Sequence, residues 1–394
     1  MEHHRYDDIS LDTLKARPGA KWRTFPADVL PLWIAEMDFP LAEPIKAAVR
    51  SRLDADDLGY PAAAAYPTAA GLPGLREAVV ERLAARYRLA ATPDQVEMLP
   101  PPGGGCGPAA RGGAGRGDEV LLPPPLPPPF KHAIETVGRV PVEVELVRGD
   151  DGYTIDFAAL EGAVTPATRI MMLCSPHNPI GKVFTRAELT QLAAFAQRHN
   201  LWVVSDELHA DLLFDGEHVA FATVSESAAQ RTLTLYGPTK AFNIPGLRIS
   251  FAVSANAGLL KRVKAAGAGL APSPNSLGMA ATVAAYREGG PWLTDTLEYL
   301  RGNRDYLMNF VRERLPEVGV HTPAATYLAW LDMRRTAVGE TPGKTLAERA
   351  KVGLNEGSSF GKGGAGFVRL NFATSRAILS EALERIASVV APRD

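Results

Sequence analysis

Cysteine is nearly absent: the 394 residues hold two, Cys106 and Cys174. Two thiols cannot build a disulfide framework or a four-cysteine zinc site, and no metal site is expected. Cys174, inside an apolar run, reads as a small core residue. Reduced thiols point to a cytoplasmic protein. An excess of charge of either sign is lacking too. With 42 Lys and Arg against 44 Asp and Glu, the formal net charge is -2, which leaves no electrostatic footprint for nucleic acid or an anionic membrane. No apolar run approaches the roughly 18 residues needed to cross a bilayer. The opening MEHHRYDDIS has no apolar core and does not read as a secretory signal. H-E-x-x-H does not occur.

Proline and glycine are plentiful instead, and they concentrate between Pro100 and Pro129, where ten of thirty residues are Pro and eight are Gly. Within this stretch GCGPAA (Gly105–Ala110) imitates a dinucleotide fingerprint. It follows prolines and glycines rather than a strand, and Pro108 spoils the helix that the fingerprint requires. GKT (Gly343–Thr345) ends like a phosphate loop, but Val338 stands where its first glycine is needed. Neither motif is retained.

The rest of the chain alternates regularly. RIMMLC, LWVVSDE, TLTLYG and RISFAV are short apolar runs without a polar face, as expected of strands buried on both sides. Between the first two lies TRAELTQLAAFAQRHN. Thr185 and Glu188 have capping-box spacing, and Leu189, Leu192, Ala193 and Phe195 give the helix an apolar face. The pattern predicts an α/β architecture with a mainly parallel central sheet flanked by helices, and functional residues at the carboxyl ends of the strands. After about Trp292 long helical patterns, then TYLAWLDM, GFVRLNF and a last helix, read as a smaller α+β part. The expected division is a large domain over 46–290 and a discontinuous small domain made of 1–45 and 291–394. VEML and EVLL, on either side of the glycine-rich stretch, read as strands of one sheet.

One constellation carries chemistry. Lys240 follows the strand TLTLYG and precedes the apolar AFNIPGL, so its long cationic side chain sits where the chain is otherwise buried. Burial lowers a lysine pKa and makes the amine a nucleophile for carbonyls. Asp206 ends the strand of LWVVSDE, with His209 three residues on, and Asn178 lies in the turn SPHNPIG after RIMMLC. Thr239 and Arg248 flank Lys240 and suit a phosphate. Pyridoxal phosphate requires this set: a lysine to bond its aldehyde, an acid opposite the pyridine nitrogen, an amide for the ring oxygen and an arginine for the phosphate.

The chain resembles the fold-type I pyridoxal phosphate enzymes of the class I/II aminotransferase superfamily, and among them the MalY/PatB group of C–S lyases. The resemblance rests on LPLWIAEMDFP, LGYP, CSPHNPIGKVFTRAEL, VVSDELHADL, PTKAFNIPGLR, ATYLAWLDM and GFVRLNFATSR, which occur in the family's order. It implies that Lys240 bonds the cofactor and moves the substrate Cα proton, with Asp206 on the pyridine nitrogen and Asn178 on the ring oxygen. Thr239 and Arg248 would hold the phosphate, and His209 would join the cofactor set. Tyr60, also counted in the catalytic set, would reach the phosphate of a neighbouring subunit, which implies a homodimer. Arg369 would clamp the substrate carboxylate, while Trp33 and Tyr327 would line the entrance. The implied reaction is β-elimination from L-cystathionine or a related cysteine S-conjugate, giving pyruvate, ammonia and a thiol. The alternatives are an aminotransferase using the same residues and a non-catalytic regulatory relative.

The proline- and glycine-rich stretch departs from the family pattern. Relatives place a phosphate-binding turn and a helix there, followed by a tyrosine that stacks on the cofactor ring. Here the helix positions hold GGGCGPAARGGAGRG and the tyrosine position falls on Pro127. At about 1 kcal/mol per interior glycine and 3 kcal/mol per proline, no regular helix is expected over these residues.

Overall fold

The computed structural model of the chain describes residues 4–59, 72–99, 102–267 and 275–390. Its centre is a seven-stranded sheet built from β1 (Val96–Leu99), β2 (Glu119–Leu122), β3 (Val140–Glu143), β4 (Thr168–Cys174), β5 (Trp202–Asp206), β6 (Thr232–Tyr236) and β7 (Ser250–Val253). The spatial order is β1-β7-β6-β5-β4-β2-β3. The pairings from β6 through β3 are parallel, and only β7, against β6 and β1, is antiparallel. VEML and EVLL thus do belong to one sheet, far apart within it.

The uniformly apolar strands follow from burial on both faces. Along β4, Ile170, Met172 and Cys174 enter the core on one side, while Met171 and Leu173 enter the core on the other. The second face is covered by α3 (Arg186–Arg198). α3 starts in the predicted capping box: the Glu188 amide donates to Thr185 Oγ1 at 3.2 Å, and the Thr185 amide donates to Glu188 Oε2 at 2.7 Å. Leu189, Leu192, Ala193 and Phe195 are all buried.

The first face is covered by α1 (Pro102–Gly113), α2 (Pro128–Thr136) and α4 (Ala257–Gly267). α1 overturns the expectation of no regular helix. It forms with Pro108 in its interior, because packing outweighs propensity. Cys106, Ala109 and Ala110 are fully buried in the core of this face. The glycines allow contact closer than any side chain would permit. A Cβ on Gly112 would stand 2.8 Å from the Val263 backbone of α4, and one on Gly113 would stand 2.9 Å from Ile170 of β4.

A second, antiparallel sheet has the order β8-β9-β11-β10, from β8 (Gly319–Val320), β9 (Leu328–Asp332), β10 (Asn355–Glu356) and β11 (Phe367–Asn371). It is accompanied by α5 (Gly290–Arg314) and α6 (Arg376–Val390). The N-terminal segment packs with this part: Leu30–Pro31 pairs with Val352–Gly353. Asn371 Nδ2 donates to the carbonyls of Ile34 (2.6 Å) and Glu36 (2.7 Å). A buried Lys21–Asp38 ion pair at 2.9 Å holds the same segment from the other side. Among the described residues no helix is long and apolar enough to cross a membrane, and no cluster of potential metal ligands occurs.

Candidate active site

Three adjacent parallel strands deliver three of the predicted residues to one place. Asp206 ends β5, in register with Cys174 at the end of β4 and Leu235 near the end of β6. Asn178 lies four residues past Cys174, and Lys240 four past Tyr236. Arg369 approaches from the second sheet, in the middle of β11, where it pairs with Trp330 of β9 and Asn355 of β10. It is therefore an interior residue rather than an edge-strand arginine. These four side chains and His209 line a cavity of about 410 Å³.

The local turns fix the side chains. Past β4 the chain turns back through an amide–carbonyl contact from Gly181 to His177 at 2.8 Å. Gly181 has φ +67°, and a Cβ there would meet the Ala325 carbonyl at 2.8 Å, so the turn bearing Asn178 accepts only glycine at this point. Of the three acids in DELHAD, two are committed elsewhere. Glu207 accepts from Ser205 Oγ (2.8 Å) and the Phe221 amide (3.0 Å) and faces His218 Nε2 (2.8 Å). Asp211 pairs with Arg82 and accepts from Tyr236. Asp206 alone lines the cavity.

The electrostatics suit an anionic, electron-demanding ligand. Lys240 Nζ donates to the Ala35 carbonyl at 2.9 Å. Burial, reinforced by the charge of Arg369, brings its ammonium down to about 8, against the opposing pull of Asp206 and Glu36. Burial pushes the Asp206 carboxyl up to about 7, although the Leu208 amide donates to it at 3.1 Å. A cationic ring nitrogen placed against it would return it to the carboxylate. His209 is held neutral, brought down to about 3 by burial first and then by Lys240 and Arg369.

Arg369 is 7% exposed, and among the described residues it has no carboxylate partner. It donates to Asn178 Oδ1 (3.1 Å), the Trp33 carbonyl (2.9 Å) and Asn355 Oδ1 (2.6 Å), all neutral acceptors. Its Nε is buried without a partner, and burial lowers it to about 10. A buried guanidinium in neutral surroundings is a preformed anion site. Because Asn178 Oδ1 accepts from Arg369, its amide nitrogen is left to donate.

Pyridoxal phosphate fits these residues. Lys240 would bond its aldehyde, Asp206 would face the ring nitrogen and Asn178 Nδ2 the ring oxygen. The Thr239 hydroxyl is buried beside Lys240 with no partner, as a phosphate-binding group would be. Two predicted parts of the grip stand differently. Arg248 is exposed and outside the cavity lining, its backbone at φ +48°. Tyr60 lies outside the described residues.

Trp33 lines the cavity, with its Nε1 donating to the Lys21 carbonyl at 3.3 Å. Tyr327 does not line the entrance. It is fully buried behind His209, and its hydroxyl donates to the Ala35 carbonyl at 3.0 Å, the same oxygen that Lys240 uses. Pro127 caps α2 and lines the cavity. The sequence reading missed Asn355 and the Ala35 carbonyl. Asn355 is marked only by its register with Arg369, and a backbone oxygen has no residue signature.

The chain is 35% identical over 382 residues to the cystathionine beta-lyase of Corynebacterium glutamicum, covering 96% of this chain and 99% of the other. It is 33% identical over 370 residues to the cystathionine beta-lyase PatB of Bacillus subtilis, covering 92% and 93%. A crystal structure of a putative PLP-dependent beta-cystathionase from Corynebacterium diphtheriae superposes with a TM-score of 0.89 at 33% identity, covering 98% of this chain and 99% of that one. The model of the aminotransferase class I and II family matches residues 27–386, and the chain belongs to that family.

Proposed function

We propose that this protein is a pyridoxal phosphate-dependent C–S lyase that converts L-cystathionine or a related cysteine S-conjugate into pyruvate, ammonia and a thiol. The observation that carries the reading is the meeting of two buried cationic side chains in one cavity: an amine brought down to about 8 and an arginine whose hydrogen-bond partners among the described residues are all neutral. The names of the relatives support the same activity. When bound, the cofactor supplies an electron sink for negative charge at the substrate Cα.

The chain's own residues do the rest. Arg369 grips the α-carboxylate and fixes the Cα–H bond with respect to Lys240. Lys240 Nζ accepts the substrate Cα proton. Asp206 would keep a proton on the ring nitrogen of the bound cofactor. The Cβ–S bond then breaks, and the sulfur leaves with its electron pair and takes up a proton. The three-carbon enamine released is hydrolysed to pyruvate and ammonia.

The site residues act in a homodimer on this reading. The exposed Leu53 and Leu58, just before Tyr60, support an interface there. The division into 46–290 and 1–45 with 291–394 follows the two sheets, and the buried free thiols suit a reducing compartment such as the cytoplasm. The test is incubation of the loaded protein with an S-conjugate and no keto acid. Pyruvate release is expected. Turnover only after a keto acid is added would instead establish an aminotransferase.

A further inference from the structure

We propose that Asn355 is a second grip on the substrate α-carboxylate, a reading that rests on the site being that of a C–S lyase with Arg369 as the first grip. Asn355 holds one Arg369 hydrogen before substrate arrives. It yields that hydrogen to the carboxylate and donates its own Nδ2 to the same group.

A guanidinium can hold a carboxylate by two forks, Nη1–H with Nη2–H or Nε–H with Nη2–H. Both forks draw on Nη2. In Arg369 the Nη2 hydrogens already go to the Trp33 carbonyl at 2.9 Å and to Asn355 Oδ1 at 2.6 Å. A two-point grip therefore requires one of these acceptors to leave. The Trp33 carbonyl is held in place by its own segment. The next three carbonyls are all taken: those of Ile34 and Glu36 by Asn371 Nδ2 at 2.6 and 2.7 Å, and that of Ala35 by Lys240 and Tyr327 at 2.9 and 3.0 Å. Asn355 Oδ1 has no partner but Arg369 among the described residues.

The end of the amide that faces the arginine has to be the oxygen, because a guanidinium only donates. Nδ2 is thereby left over on a residue that lines the cavity, without a partner among the described residues. The stem beneath it is fixed. Asn355 stands in register with Arg369 across β10 and β11. Glu356 Oε2 accepts from the Gly343 amide at 2.9 Å, and a Cβ on Gly357 would stand 2.2 Å from the Gly364 carbonyl. The Asn355 side chain can thus turn on a rigid strand beside the guanidinium. An amide can accept from the cation and then donate to the anion, so the buried polar groups stay paired before and after a carboxylate enters.

The experiment measures dissociation constants on the loaded protein by tryptophan fluorescence. One ligand, 3-(benzylthio)propanoate, keeps the carboxylate and lacks the amine; the other, S-benzylcysteamine, keeps the amine and lacks the carboxylate. In Asn355→Ala the acid loses a charge-assisted donor but meets a guanidinium with one neutral competitor fewer. The first effect is the larger, so the acid should bind at least about fivefold more weakly. The amine should stay within about twofold of wild type. KM for S-benzyl-L-cysteine should rise by the same factor as the acid's constant, with kcat nearly unchanged. Asn355→Leu, which has the shape of the amide without its hydrogen bonds, makes the same test if the alanine variant does not fold. An acid that binds the variant as well as or better than wild type, or a loss shared equally by the amine, overturns the proposal and makes Asn355 a neutral prop of Arg369. Pyruvate formation is scored separately. If wild type forms none, the lyase reading fails, and the two dissociation constants still decide whether Asn355 grips a carboxylate.

Discussion

Arg369→Lys separates a substrate grip from a structural arginine. The lysine keeps the positive charge but offers one nitrogen where the guanidinium offers a fork. Toward the substrate carboxylate it loses one of two charge-assisted hydrogen bonds, worth about 2 kcal/mol, or about thirtyfold in kcat/KM. That contact exists before and during the reaction alike, so the loss should fall mainly on KM. Within the fold the cost before any offset is of the same size. The Trp33 carbonyl and Asn355 Oδ1, both now served by Nη2, each lose a neutral partner's share of about 1 kcal/mol, which the relief of a less demanding buried cation partly offsets. The assay is steady-state pyruvate formation beside a thermal melt and the visible absorbance of the bound cofactor. A KM raised about thirtyfold with unchanged absorbance and a melting temperature lowered by only a few degrees is expected. A KM within threefold of wild type, together with a large fall in melting temperature, would refute the assignment and make Arg369 a structural residue.

Three further expectations concern other links of the argument. Because the Lys240 amine must be unprotonated to attack an aldehyde, the rate at which cofactor-free protein takes up pyridoxal phosphate should rise with pH and level off above about 8; a rate still climbing at pH 10 contradicts the lowered value. His177 is fully buried and brought down to about 4 by burial, so it stays neutral in the fold while the unfolded chain binds a proton below about 6.5. Its contribution is lost as pH falls, about 2 kcal/mol between pH 7 and pH 5, whereas Asp206, raised to about 7, works in the opposite direction. Urea unfolding at the two pH values should therefore show wild type losing about 2 kcal/mol more than His177→Gln, and equal losses would count against it. Gly112→Ala should destabilise the protein by about 1–3 kcal/mol through the collision with Val263, although the same change in an exposed helix stabilises by about 1 kcal/mol; a higher melting temperature in the variant would show that α1 does not pack as described.

The parts of the fold that could be read in advance are those where local pattern and final environment agree. β4, β5 and β6 are continuous apolar runs because both of their faces are covered, and the Thr185–Glu188 box announces α3 through contacts three residues apart. Lys240, Asp206 and Asn178 were legible for a related reason: each follows a recognisable strand, and parallel strands bring their ends together. α1 was not legible. Its stability comes from Val263 and Ile170, more than fifty residues away in sequence, and no propensity scale contains those contacts. Tyr327 and Arg248 show the limit of positional transfer. A motif gives a residue's place along the chain, but Tyr327 turned into the core toward Ala35 and Arg248 turned out to solvent. Asn355 became visible only when β10 lay against β11.

The most direct test of the central claim is product stoichiometry from S-benzyl-L-cysteine and L-cystathionine, measured on wild type and on Lys240→Ala with pyridoxal phosphate present and keto acids absent. The account predicts one thiol and one ammonia for each pyruvate in the wild type, and a loss of at least about 10²–10⁴-fold in the variant, which should also release its cofactor on gel filtration. Thiol-free turnover that consumes an added keto acid, or a Lys240→Ala protein that still forms pyruvate at the wild-type rate, would contradict it.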